Sequence, residues 1–167
     1  ARIEGARSSA VVLGIEPPDR FPLVYYRDNA ADSQVTIDHV IAANIDQYKL
    51  LEISATALNI EPSRSAVFYA VETAFDNKVE VVLDMDFRAD QWKDLRSFGL
   101  MVRAILPKVT IAIGTEEEIL AATLQNADQV HISHQQISAP EIKGDIEASI
   151  QKIIKSGPEL LFVKRGS

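Results

Sequence analysis

Cysteine is absent from the 167-residue chain. Its absence excludes a disulfide framework, a thiol nucleophile and a thiolate metal centre, and it accords with a reducing cytoplasm. No apolar run approaches the roughly 18 to 20 residues needed to span a bilayer, so no membrane partner is expected. Clustered cations are missing too: 17 Lys and Arg stand against 24 Asp and Glu, for a net charge of -7. A nucleic-acid or anionic-membrane surface must neutralise phosphates with grouped Lys and Arg, and that class of partner is therefore excluded. A small anion held by a few placed cations stays open. There is no G-x-G-x-x-G or Walker-type loop, no nucleophile elbow and no internal repeat. The first residues, Ala1-Arg2-Ile3-Glu4-Gly5, carry neither an initiator Met nor an apolar signal core. The chain is thus expected to be either processed or begun within a longer protein.

What is present is a 47% apolar composition, enough for one good-sized core. Ser9 to Leu13 and Leu23 to Tyr26 are strand-prone, and the prolines at 17 and 18 between them cannot sit in a central ladder. Two strands and a turn follow, and such a ribbon is marginal alone, so it is expected to lie on another domain, another subunit or a ligand. Beyond Asp32 helical and strand segments alternate. Thr36 is placed to cap a helix from Ile37, and Leu50 to Ile53 is an apolar run. Glu61-Pro62-Ser63 starts a second helix, Val79 to Leu83 and Val109 to Ile113 read as strands, and Leu95 to Leu106 is a helix stopped by Pro107. Asp145 caps the helix with Ile146, Ile150, Ile153 and Ile154, Gly157-Pro158 ends it, and Leu160 to Val163 is the last strand. Short apolar strands between helices predict an α/β fold with a parallel sheet covered on both faces. The expected division is a ribbon over 1–33 and an α/β unit over 34–167. Gln125 to Lys143 is polar and mixed, and a short helix and a loop are expected there.

In open parallel sheets ligands bind beyond the carboxyl ends of the strands, and chemistry-bearing residues gather at those ends here. Leu83-Asp84-Met85-Asp86-Phe87-Arg88 runs a buried strand into two carboxylates and a guanidinium. A strand-end Asp is as often a helix cap or an Arg partner, but the Arg88 fork suits carboxylate or phosphate. Ile113-Gly114-Thr115-Glu116-Glu117-Glu118 contains the capping box Thr115-x-x-Glu118, whose acids favour a helix N-terminus without any further role. A hydrated Mg²⁺ beside a nucleotide would nevertheless offset the repulsion among three adjacent acids. Val163-Lys164-Arg165-Gly166-Ser167 places two cations after the last strand, either as solvated surface or beside polyphosphate. In the ribbon, Tyr25 and Arg27 share a face at the two-residue strand period, while an edge cation that discourages sheet pairing is an equally common reading. His131 and His134 have helix-turn spacing, but without a third ligand they do not make a zinc site.

Four strings together carry a resemblance. Leu13-Gly14-Ile15-Glu16-Pro17-Pro18-Asp19-Arg20-Phe21-Pro22-Leu23 with Tyr26-Arg27-Asp28-Asn29-Ala30-Ala31-Asp32 resembles the lid segment of the ribokinase-like, PfkB-type carbohydrate kinases that act on acid sugars. Val82 to Arg88 with Trp92, then Ala112 to Glu118, then Phe162-Val163-Lys164-Arg165-Gly166, resemble the same family in the same order, over nearly the whole chain. The resemblance implies a ribokinase-like sheet with a two-stranded lid, and ATP- and Mg²⁺-dependent phosphorylation of 5-dehydro-2-deoxygluconate, a sugar acid of myo-inositol catabolism. It places Tyr25, Arg27 and Arg88 around the substrate, Glu116 and Glu118 at the metal, and Lys164 and Gly166 near the nucleotide. Thr115 stands where the family usually has Asn, and Lys164-Arg165-Gly166 where it has Thr-x-Gly. The family's Gly-Ala-Gly-Asp stretch, which supplies the anion hole and the base, is expected downstream of Gly166, so the isolated chain is expected to be inactive. Further expectations are a homodimer through the lid strands and a cytoplasmic location. Another acid sugar such as 2-keto-3-deoxygluconate, or a non-catalytic binding module, are the alternatives.

Overall fold

Two β-rich runs separated by a proline-containing turn fold back on each other at the N-terminus. In the computed structural model, which describes residues 3–15, 17, 23–126, 129–131 and 141–165, β1 (Ala10–Leu13) pairs antiparallel with β2 (Leu23–Tyr26), Ala10 opposite Tyr26 and Leu13 opposite Leu23. The ribbon is anchored where its chain re-enters the body. Arg7 bridges Ala30, which is buried, and the following single-turn helix Ala31–Gln34 packs on a helix of the body. Above that anchor the ribbon is open, with Val11, Val12, Leu13, Val24 and Tyr26 all at least half exposed.

The body begins with α1 (Ile37–Ala43), whose Thr36 N–H donates to His39 Nδ1 at 3.1 Å, so a histidine closes the capping box. It continues through β3 (Leu50–Ser54), α2 (Ser63–Asp76), β4 (Glu80–Asp84), α3 (Leu95–Ile105), β5 (Ile111–Thr115) and α4 (Glu116–Thr123). The short strands β6 (Val130–His131) and β7 (Glu141–Ile142) then pair antiparallel, before α5 (Ile146–Ile154) and β8 (Leu160–Lys164). Strands β3, β4, β5 and β8 form one parallel sheet in that order. The α/β class and the parallel sheet are those that the alternation of segments predicts. In the stretch from Gln125 to Lys143 the described residues include the β6–β7 pair, and His134 lies outside the described residues.

The core is centred on β4, where Val81 and Leu83 are fully buried, and on Leu58, Met85, Phe98, Val102 and Ile119 around it. Each such side chain contributes about 1.5–3 kcal/mol by leaving water. Helix α3 approaches α4 at Gly99, where a Cβ would come to 2.8 Å from the Ala121 carbonyl oxygen. Arg103 of α3 caps the other helix by donating to the Ala122 carbonyl at 2.6 Å. Parallel pairing then aligns the carboxyl ends: Ser54 is opposite Asp84, and Thr115 opposite Lys164. The described strand-end residues among those singled out above therefore emerge at one edge of the sheet. Among the described residues no helix is long and apolar enough to cross a membrane.

Candidate functional site

The ribbon leans over the carboxyl ends of β3 and β4, and an open pocket of about 470 Å³ lies between them. Its wall is lined by Tyr25 and Arg27 from the ribbon and by Ser54, Thr56, Asp86 and Arg88 from the sheet edge. Tyr25, Arg27 and Arg88, named separately from the sequence, thus meet in one space. Each guanidinium is held from the protein side. Arg88 Nη2 pairs with Asp86 Oδ1 at 2.6 Å, and its guanidinium carbon lies 5.8 Å from the centre of the Tyr25 ring, within reach of a cation–π contact. Arg27 is in close contact with Gln91 Oε1 and with Asp32 Oδ2, and Asn59 Nδ2 donates to the same Gln91 oxygen at 3.4 Å.

Asp86 organises this corner. Its Oδ2 accepts from Ser54 Oγ at 3.1 Å and from Thr56 Oγ1 at 2.9 Å, and the Thr56 hydroxyl also reaches the Asp86 carbonyl at 2.8 Å. The Asp86 backbone has φ 29, a left-handed setting that costs a non-glycine residue about 1–2 kcal/mol and persists where neighbours over-determine it. Burial pushes the Tyr25 phenol above its ordinary value while Arg88 pulls it down. Burial likewise raises Asp90, which faces both arginines. The phenol is accordingly neutral, able to donate as well as accept.

A second cluster sits where β5 and β8 end. Lys164 Nζ lies 3.3 Å from Asp84 Oδ1 and 3.8 Å from Glu118 Oε2, and Arg165 Nε is 2.7 Å from Glu116 Oε1. Thr115 caps α4 as the sequence predicts: its Oγ1 accepts from the Glu118 N–H at 3.2 Å, and its own N–H donates to Glu118 Oε2 at 2.8 Å. Glu118 also accepts the Phe87 N–H on Oε1 at 3.3 Å, and it is only 8% exposed. Among the described residues no three His, Asp or Glu converge as a metal cage. With one oxygen of Glu118 on each of two backbone N–H groups and Glu116 paired to Arg165, this donor set fits a hydrated Mg²⁺ held through its waters better than a directly ligated ion. Gly166 lies outside the described residues.

Sequence reasoning passed over Ser54, Thr56, Asp32 and Gln91. The first two follow the apolar run of β3 directly, so the strand-end rule applied to Asp84 reaches them as well. Nothing local marks Gln91, whose role arises only when the ribbon folds down, whereas Asp32 meets Arg27 from five residues further along the same segment.

Side chains gathered beyond the carboxyl ends of a parallel sheet, under a two-stranded cover, define a small-molecule site of the open α/β type. The model of the pfkB family of carbohydrate kinases matches residues 3–167, and the chain belongs to that family. It is 31% identical over 163 residues to the 5-dehydro-2-deoxygluconokinase of Halalkalibacterium halodurans, covering 98% of this chain and 45% of that protein. The chain therefore spans less than half the length of this curated relative. Among solved structures, the fructokinase of Vibrio cholerae O395 in apo form superposes with a TM-score of 0.70 at 20% identity, over 98% of this chain and 49% of that one. The fructokinase of Xylella fastidiosa with bound ATP gives 0.72 at 17%, over 99% and 48%. At these identities the structural likeness speaks for the ribokinase-like fold alone.

Proposed function

We propose that this chain is the acid-sugar-binding part of an ATP- and Mg²⁺-dependent kinase that phosphorylates 5-dehydro-2-deoxygluconate in myo-inositol catabolism. The observation that carries the reading is the convergence of Arg27 and Arg88 on one pocket, each fixed from behind by a carboxylate or amide. Two preset forks suit a carboxylate among hydroxyls, and the identity to a relative named for this substrate supports the choice of acid. Asp32 and Asp86 each pair with one of the two guanidiniums, so the site carries no large positive excess, which favours a singly charged sugar acid over a doubly charged sugar phosphate.

In this reading Arg27 and Arg88 take the carboxylate and Tyr25 bonds a hydroxyl, so that the sugar's reacting hydroxyl is aimed along the sheet edge. Glu116 and Glu118 order water around the metal, and Lys164, with Gly166 by family resemblance, lies at the phosphates. Bound Mg²⁺ supplies neutralisation of charge on the nucleotide. The Gly-Ala-Gly-Asp base segment belongs, by the same resemblance, beyond Gly166. Exposed apolar residues on the ribbon, Val12 and Val24 among them, favour a homodimer through the lid. A second reading, a kinase for 2-keto-3-deoxygluconate, draws on the same pair of guanidiniums. Turnover of the two acids by the full-length protein with ATP separates them. Faster 2-keto-3-deoxygluconate turnover selects the second reading, and binding of either acid without phosphoryl transfer selects a non-catalytic module.

A further inference from the structure

We propose that Glu118 is a positioning residue of the acid-sugar pocket, acting through the backbone N–H of Phe87. The inference rests on the kinase reading above, in which Glu118 otherwise belongs to the metal side. Its capping box needs only the Oε2 bond to the Thr115 N–H at 2.8 Å. Oε1 is spent elsewhere, on the Phe87 N–H at 3.3 Å, 31 residues earlier in the chain. A carboxylate is suited to this double duty, because it offers acceptors on both oxygens and no donor to repel an N–H. The side chain is only 11% exposed, where an unpaired charge is costly and a satisfied one is rigid.

Phe87 stands between Asp86 and Arg88. The backbone that Glu118 grips is therefore the one whose left-handed Asp86 holds Arg88. On the far side the Phe87 ring packs on Phe98 at 4.6 Å, and Trp92 packs on Phe98 at 5.4 Å. Between these two anchors runs the turn that delivers Gln91 to Arg27. Both guanidiniums thus take their places from a segment fixed at its start by Glu118, and the helix that faces the nucleotide side sets the geometry of the sugar side.

The test measures binding of 5-dehydro-2-deoxygluconate to the full-length protein by calorimetry, in EDTA and without nucleotide. Glu118→Gln keeps the shape but offers one acceptor oxygen for two N–H groups, so affinity is expected to fall about tenfold without any metal present. Thr115→Ala removes the other half of the capping box and leaves the Phe87 bond, so it lowers the unfolding temperature and leaves sugar affinity unchanged. Wild-type affinity in Glu118→Gln, with only the Mg²⁺ dependence of turnover altered, overturns the proposal and leaves the kinase reading intact. Failure of the wild-type protein to bind the acid overturns the substrate reading instead. Amide exchange checks the bond on which the role depends: the Phe87 N–H is expected to be protected in the unliganded wild type, and exchange at the rate of an exposed amide overturns the proposal.

Discussion

The two clusters at the carboxyl edge are built from the same residue types and behave differently. Under the ribbon, Arg27 is 18% and Arg88 32% exposed, and of their partners Asp86 and Gln91 are themselves tied down by hydroxyls and an amide, while Asp32 stands at the open rim. At the ends of β5 and β8, Lys164 is 47% and Arg165 68% exposed, and their pairs with Asp84 and Glu116 stand in solvent. Charges held in a partly desolvated pocket are preset for one ligand shape, whereas exposed pairs are cheap to break and re-form. The sugar side is therefore read as a rigid recognition surface, and the β5–β8 side as a set of charges free to regroup around a polyphosphate. Glu118, buried between them, belongs to the rigid half.

The largest effect is expected from Arg88→Ala in the full-length protein: the KM for the acid sugar rises about 100-fold, the loss of a charge-assisted bond in a sheltered site, while the KM for ATP stays within about twofold. Equal rises in both would erase the contrast between the clusters. Asp86→Asn keeps an acceptor for Ser54 and Thr56 and a side chain that tolerates left-handed backbone, so only the charge partner of Arg88 is lost. Its acid-sugar KM is expected to rise about tenfold with little change in unfolding temperature. Thr115→Ala is expected to cost about 1 kcal/mol of stability in denaturant titration. Arg165→Ala, at the exposed end, is expected to change stability by less than about 0.5 kcal/mol, and less still in high salt. A larger, salt-insensitive loss would show that the open cluster is structural after all.

Much of this was legible in the sequence because strand and helix periodicity are local. The parallel sheet, the ribbon, the Thr115–Glu118 box and the Asp145 cap, which accepts from the Ala148 N–H at 3.0 Å, all follow from neighbours a few residues apart. Strand β5 starts at Ile111 where the apolar run begins at Val109, because Val109 turns back to the Leu106 carbonyl. Long-range partners carried no such signal. Tyr25 and Arg27 share a face by strand period, but only the folded chain brings Arg88 beside them or makes Gln91 a support of Arg27. Glu118 shows the limit most clearly, since the motif accounts for one of its oxygens and the tertiary fold for the other.

The central claim is that the two fixed guanidiniums read a carboxylate on the sugar. Its most direct test is the ratio of kcat/KM for 5-dehydro-2-deoxygluconate to that for fructose, a neutral ketose, in the full-length protein with ATP and Mg²⁺. A preference for the acid of about 100-fold or more, the worth of one or two charge-assisted bonds, is the expected result, and it should collapse in Arg88→Ala. Comparable efficiency with fructose in the wild type would contradict the account.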